Sequence, residues 1–153
     1  MDFARQDAEE PVQRIDLDAL LSEISLPFAQ RGPAPTHNAA GHTLNARPQA
    51  LRRALVNLLE NAYRHGKPPV AVQVRQLENT LILSVIDHGA GLPLDELESI
   101  KQPFRCGESA RTGARGTGLG LAIVERVARL HGGGLTLHNL APTGFEARLT
   151  LPM

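Results

Sequence analysis

Between residues 45 and 66 the apolar positions recur at helical spacing. In "NARPQALRRALVNLLENAYRHG", Leu51, Leu55, Leu58, Leu59 and Ala62 fall on one face at about 100° per residue. Asn57, Asn61, Arg64 and His65 fall together on another. Pro48 suits a first helical turn and Gly66 a C-terminal stop. The pattern predicts a helix with one packed face. The second face carries two carboxamides, a guanidinium and an imidazole, and as a helix surface it could equally be simply solvated.

Upstream, 1–14 is polar and mildly helical. Residues 15–32 place Ile15, Leu17, Leu20, Leu21, Ile24 and Phe28 near helical spacing, with Asp16 as N-cap. The Pro-, Gly- and Ala-rich stretch 32–42 reads as a linker or turn. Downstream the period changes. "VAVQVRQ" (70–76) alternates as a half-buried strand does, and "TLILSVID" (80–87) is a nearly continuous run of β-formers, which predicts a central strand. That run stops at "DHGAGLP", and nothing is periodic from there to Gly116. So long a connection in a compact domain reads as a functional lid or a disordered segment. A helix over 118–131 ends in "HGGG", and two strands, 135–139 and 145–151, flank the turn "APTG". The order of helices and strands predicts an α/β (α+β) two-layer sandwich with a mixed sheet.

Composition narrows the class. With 153 residues, 42% hydrophobic and 21% charged, the chain reads as one soluble domain with a real core. Sixteen basic residues balance sixteen acidic ones, which argues against a general nucleic-acid binder. One cysteine, Cys106, excludes an internal disulfide and a cysteine-based zinc site, and fits a reducing compartment. No apolar run nears the ~18 residues of a membrane span, and "MDFARQDAEE" lacks a signal peptide's apolar core.

Four pieces carry candidate chemistry. They are Asn57 and Asn61 on a helix; Asp87 with Gly89 and Gly91 at a strand end; a basic loop; and Gly116, Gly118 and Gly120 at a helix start. Each has a bland alternative: surface asparagines, an Asx-type turn, close helix packing. Together they suit a nucleotide. A carboxylate at the edge of an apolar strand can accept from an exocyclic amine. Between 99 and 116 the loop sets Lys101, Arg105, Arg111 and Arg115 against Glu108 alone, a local excess that suits phosphates. Backbone amides at a helix N-terminus add donors, and asparagine oxygens can complete an Mg²⁺ shell. No "GxxxxGK[ST]" occurs, and "GTGLGL" follows a lid rather than a first βαβ strand, so neither a P-loop nor a dinucleotide fingerprint is present.

These stretches resemble the ATP-binding catalytic domain of sensor histidine kinases (the Bergerat fold), in the superfamily that includes gyrase and MutL. The likeness covers about residues 45–151. "NLLENAYRHG" is similar to the family's N box, "DHGAG" to its G1 box, "QPF" to its F box and "GTGLGLAIV" to its G2 box; "QPF" with "GESART" most resembles the osmosensor group. The resemblance implies a mixed five-stranded sheet on three helices, with ATP between a helix and a long flexible lid at about 92–116. By position, Asn61 would ligate Mg²⁺, with Asn57 near the metal and phosphates. Arg64 would contact phosphate and His65 would lie against the nucleotide. Asp87 would read the adenine amine, and Gly89, Gly91 and Leu92 would line the base pocket. Phe104 would anchor the lid. Arg111 and Gly116, Thr117, Gly118, Leu119 and Gly120 would hold the phosphate tail.

Two departures stand out. The F box commonly runs Phe, any residue, Arg, but here Phe104 is followed by Arg105 and then Cys106, which reads as a surface thiol. The family's phosphoacceptor motif (His, an acid, two residues, Arg or Asn, Pro-Leu) follows none of the six histidines. Residues 1–14 resemble the end of the hairpin that carries it, so 15–153 reads as the catalytic domain of a larger kinase, acting in trans. Implied partners are the histidine phosphoacceptor and dimerisation domain and, indirectly, a response regulator. Neither nucleic acid nor a membrane is an expected contact, and the expected setting is the cytoplasmic portion of a membrane-anchored sensor. Competing readings are an anti-sigma-factor-type serine kinase, which typically keeps an acid where Asn57 stands, and a non-enzymatic nucleotide-sensing module. His131 reads as a helix-end cation and His138 as a surface strand residue.

Overall fold

The computed structural model describes residues 3–92 and 120–153. Within them the chain runs α1 (Phe3–Glu9), β1 (Gln13–Asp16), α2 (Leu17–Ser25), a 3-10 segment (Leu26–Gln30), β2 (Thr36–His37), β3 (Thr43–Ala46), α3 (Pro48–His65), β4 (Ala71–Leu77), β5 (Thr80–Asp87), α4 (Gly120–Leu130), β6 (Gly134–Asn139) and β7 (Phe145–Pro152). Five strands form one sheet in the order β2-β4-β5-β7-β6, with β2 parallel to β4 and every other pair antiparallel. β1 and β3 pair separately as a short antiparallel ribbon. The predicted α/β sandwich with a mixed five-stranded sheet is the fold observed, and the apolar run 80–87 is its middle strand.

Strand parity decides what faces the helices. Leu81, Leu83 and Val85 of β5, Leu135 and Leu137 of β6, and Phe145, Ala147, Leu149 and Leu151 of β7 are all buried in one core. From above, α3 adds Leu51, Leu55, Leu58, Leu59 and Ala62, the face its period predicts, and α4 adds Leu121, Val124, Val127 and Ala128. The opposite sheet face mixes Ile82 and Ile86 with polar pairs: Ser84 stands in register with Arg148, and Glu146 with His138. Glu146 binds the Arg148 guanidinium at 3.1 and 3.3 Å. Burial alone raises the pKa of Glu146, but the nearby Ser84 hydroxyl, the Arg148 pair and the His138 charge outweigh it and hold the carboxyl below its usual range. The buried Ser84 Oγ has no bond of good geometry among the described residues, so Arg148 is the partner that counts.

The helix expected over 15–32 is shorter. Asp16 caps it as predicted, accepting from the amides of Asp18 (3.0 Å) and Ala19 (3.3 Å). Residues 15 and 16, however, belong to β1, and the α-helical part ends at Ser25. Pro27 lacks an amide hydrogen, and the chain tightens there into the 3-10 segment. The supposed linker 32–42 contains β2, a two-residue edge strand whose parallel register on Ala71 and Val72 no periodicity could announce.

Two ends of α3 are tied to distant sequence. Arg47 occupies its N-cap without a side-chain bond. Instead Glu10, just past α1, accepts from the amides of Gln49 (2.7 Å) and Ala50 (3.1 Å). Asp7, only 4% exposed, forms an ion pair with Arg53 one turn further on. His131 differs from the expected cation. Its Nε2 accepts from the Arg47 amide at 3.0 Å while its Nδ1 donates to the Val127 carbonyl at 2.8 Å. An imidazole that accepts is neutral, so His131 joins α3 to α4 instead of serving the helix dipole. Gly132 (φ +84) and Gly133 then close α4 with bonds to Arg129 and Ala128.

Candidate nucleotide-binding site

Asp87 ends β5 on the core face, where it is 2% exposed. A carboxylate among apolar side chains must be held, and its Oδ1 accepts from the Gly89 amide at 2.7 Å. A Cβ on Gly66 would stand 2.2 Å from the Asp87 Cγ, and one on Gly89 would stand 2.8 Å from the Gly66 Cα. Gly66 does stop α3 as predicted, its amide donating to Ala62 at 3.0 Å, but in extended rather than left-handed backbone (φ −95, ψ −159). Glycine is required there by the carboxylate beside it, a role that a helix-stop reading misses.

Gly91 is glycine on two grounds. Its φ is +82, and a Cβ would meet the Asn139 Oδ1 at 2.2 Å. Asn139 was not a predicted site residue. Its Oδ1 accepts from the Leu92 amide at 2.9 Å and its Nδ2 donates to the Leu92 carbonyl at 2.7 Å. Leu92 itself is buried. Its place on the parity of Leu135 and Leu137 is the one signal that the sequence offered for Asn139.

On α3, Asn61 is 9% exposed, and its Oδ1 is buried with no hydrogen-bond partner among the described residues. An orphaned acceptor of this kind costs about 1–3 kcal/mol. It is the donor type that a hard cation takes, which is the fit expected of an Mg²⁺ ligand. No cluster of three or more His, Cys, Asp or Glu that could hold a metal occurs among the described residues. Asn57, one turn earlier and half-buried, faces the start of α4: a Cβ on Gly120 would lie 4.0 Å from its Oδ1. The structure therefore brings Asn57, Asn61 and Gly120 to one side of α3, and Asp87, Gly89, Gly91 and Leu92 to the adjoining end of the sheet.

Arg64 is exposed, and its guanidinium lies 3.6 Å from Glu60. His65 is half-buried. Glu60 accepts from Arg31 at 2.7 Å, so its carboxylate is engaged with the end of the 3-10 segment rather than with Asn61. Phe104, Arg111, Gly116, Thr117, Gly118 and Leu119, with the lid basic residues and Cys106, lie outside the described residues. No helix among the described residues is long and apolar enough to cross a membrane.

A helix bearing two asparagines thus stands beside the end of a sheet that carries a buried aspartate and glycines. Residues 46–153 match the family model described as "Histidine kinase-, DNA gyrase B-, and HSP90-like ATPase", and the chain belongs to that family. It is 33% identical over 147 residues to the sensor histidine kinase GtrS of Pseudomonas aeruginosa, covering 95% of this chain and 30% of that protein. The chain thus spans about a third of that relative's length. Among solved structures, the histidine kinase domain of the E. coli osmosensor EnvZ is 33% identical with a TM-score of 0.69, covering 95% of this chain and 91% of that one. The fold is also that of ShkA, at 24% identity and a TM-score of 0.79, covering 94% of this chain and 31% of that one.

Proposed function

We propose that the chain binds Mg²⁺-ATP and donates its γ-phosphoryl group to a histidine on a separate phosphoacceptor and dimerisation domain, within two-component signalling in the cytoplasm. One observation carries this reading: the buried Asn61 Oδ1, without a partner among the described residues, on the helix beside the Asp87–Leu92 end of the sheet. ShkA, of the same fold, is described in complex with the ATP analogue AMPPNP, which supports placing a nucleotide here.

In this reading Asp87 accepts the adenine amine, and Gly89, Gly91 and Leu92 form the floor beneath the base. Asn61 and Asn57 present amide oxygens toward the metal and phosphates. Arg64, His65, Phe104, Arg111 and residues 116–120 complete the cover over the phosphate tail. When bound, Mg²⁺ neutralises phosphate charge. The protein's part is positioning and electrostatics, which phosphoryl transfer chiefly demands. The attacking imidazole belongs to the partner domain, and a response regulator takes the group onward.

Calorimetry with a non-hydrolysable ATP analogue tests this. The parent binds in an Mg²⁺-dependent manner. Asn61→Ala loses the Mg²⁺ dependence, and Asp87→Asn loses most affinity with or without metal. A folded parent that binds no adenine nucleotide overturns the reading.

A further inference from the structure

Asn139, Phe145 and Asp87 stand in one row across three neighbouring strands, Asn139 opposite Phe145 and Phe145 opposite Asp87. Phe145 is buried and fills the middle of the row. The two polar ends of the row reach the same loop. Asp87 takes the amide of Gly89, and Asn139 takes both backbone polar atoms of Leu92. The segment 88–92 contains two glycines, and a free chain of that composition samples many backbone states. Here its beginning and its end are pinned to a single row of the sheet.

We propose that Asn139 is a positioning residue for recognition of the nucleotide base: by clamping Leu92 it fixes the Gly89–Gly91 floor at a set height against Asp87, and so sets the affinity for adenine. The inference rests on the ATP reading above. Three observations favour the side chain over the turn as the source of order. Asn139 meets Leu92 with a donor and an acceptor in matched orientation. A Cβ on Gly91 would stand 2.2 Å from the Asn139 Oδ1, so glycine there leaves room for that carboxamide. Asn139 is itself exposed at the strand end, so it contributes little to core packing. Its work is directed at the loop, and a loop ordered before binding loses less entropy when the base arrives.

The test compares the parent with Asn139→Ala and Asn139→Asp in two measurements on the full chain. One is calorimetric affinity for ADP with and without Mg²⁺. The other is amide hydrogen exchange at Gly89–Leu92 without nucleotide. Asn139→Ala is expected to bind ADP about tenfold more weakly, by the same factor with and without Mg²⁺, as two lost hydrogen bonds imply. Exchange at Leu92 accelerates, while the melting temperature stays close to the parent's. Asn139→Asp keeps the acceptor for the Leu92 amide but not the donor for its carbonyl, and falls between the two. Parent-like ADP affinity in Asn139→Ala, with faster exchange, overturns the proposal and leaves the ATP site standing. A loss confined to the Mg²⁺-dependent part also overturns it, because the effect then belongs to the phosphates. A folded parent that binds no ADP overturns both this proposal and the ATP reading.

Discussion

Gly66 and Asp87 meet with no space for a side chain between them: the carboxylate oxygens of Asp87 lie 2.4 Å from where a Gly66 Cβ would be. The residue that caps the asparagine helix and the last residue of the central strand are thereby fitted to each other. Asp87 cannot swing away cheaply, since the Gly89 amide holds its Oδ1. Gly66→Ala is expected to displace the carboxylate, to cost about 1–3 kcal/mol of stability through overpacking, and to weaken adenine-nucleotide binding more than tenfold. Denaturant melts and calorimetry on one preparation measure both. Parent-like binding would show that the carboxylate does not hold the base.

Hydrolysis of ATP by this chain alone should be slow. Asn57, one turn before Asn61, is no base. The nearest acid in sequence, Glu60, is held by Arg31 at 2.7 Å and by Arg64 at 3.6 Å. Phosphate release in the absence of an acceptor histidine should stay near background, and Glu60→Gln should not change it. Rapid sustained release would return Glu60 to the site.

Glu10 should matter to stability although it lies far from the site. It supplies the cap that Arg47 does not, so Glu10→Ala is expected to cost about 1 kcal/mol. Glu10→Gln should recover part of that loss, since an amide oxygen can still accept but no longer complements the helix dipole. Thermal melts distinguish the two, and equal stability for all three proteins would mean that the cap contributes nothing in solution.

Acid sensitivity should trace in part to Glu146. Its folded pKa is lowered, with burial opposing and the Arg148 pair prevailing. The stabilisation is therefore present above the unfolded carboxyl value of about 4.3 and is lost as pH falls through the folded value. Glu146→Gln should flatten the stability profile below about pH 4.3 relative to the parent. A parent and variant that lose stability in parallel there would assign the effect to other carboxyls.

Long periodic segments were readable, and brief or paired ones were not. α3 announced itself through five turns of spaced leucines and alanines, and β5 through an unbroken apolar run. β1, β2 and β3 have two to four residues each and exist by pairing with distant chain, which no local pattern records. The site divided similarly. Asp87 was legible because a carboxylate ending an apolar strand needs a reason. Asn139 was not, because a polar residue at an exposed strand end resembles any surface residue. Gly66 was read as a helix stop, which it is, while its tight fit to Asp87 depends on a fold that joins 66 to 87. His131 looked like a dipole partner because the Arg47 amide it accepts from is 84 positions away.

The anchoring of α3 has a mechanical consequence. Its first two turns are gripped by Glu10 and Asp7, and its last residue is followed by the glycine wedged against Asp87. The helix itself has 18 residues, about 27 Å of hydrogen-bonded rod. A rod resists stretching far better than it resists turning as a whole. α3 thus links the contacts of residues 7–10, through the turns that carry Asn57 and Asn61, to the Gly66–Asp87 joint as one continuous helix.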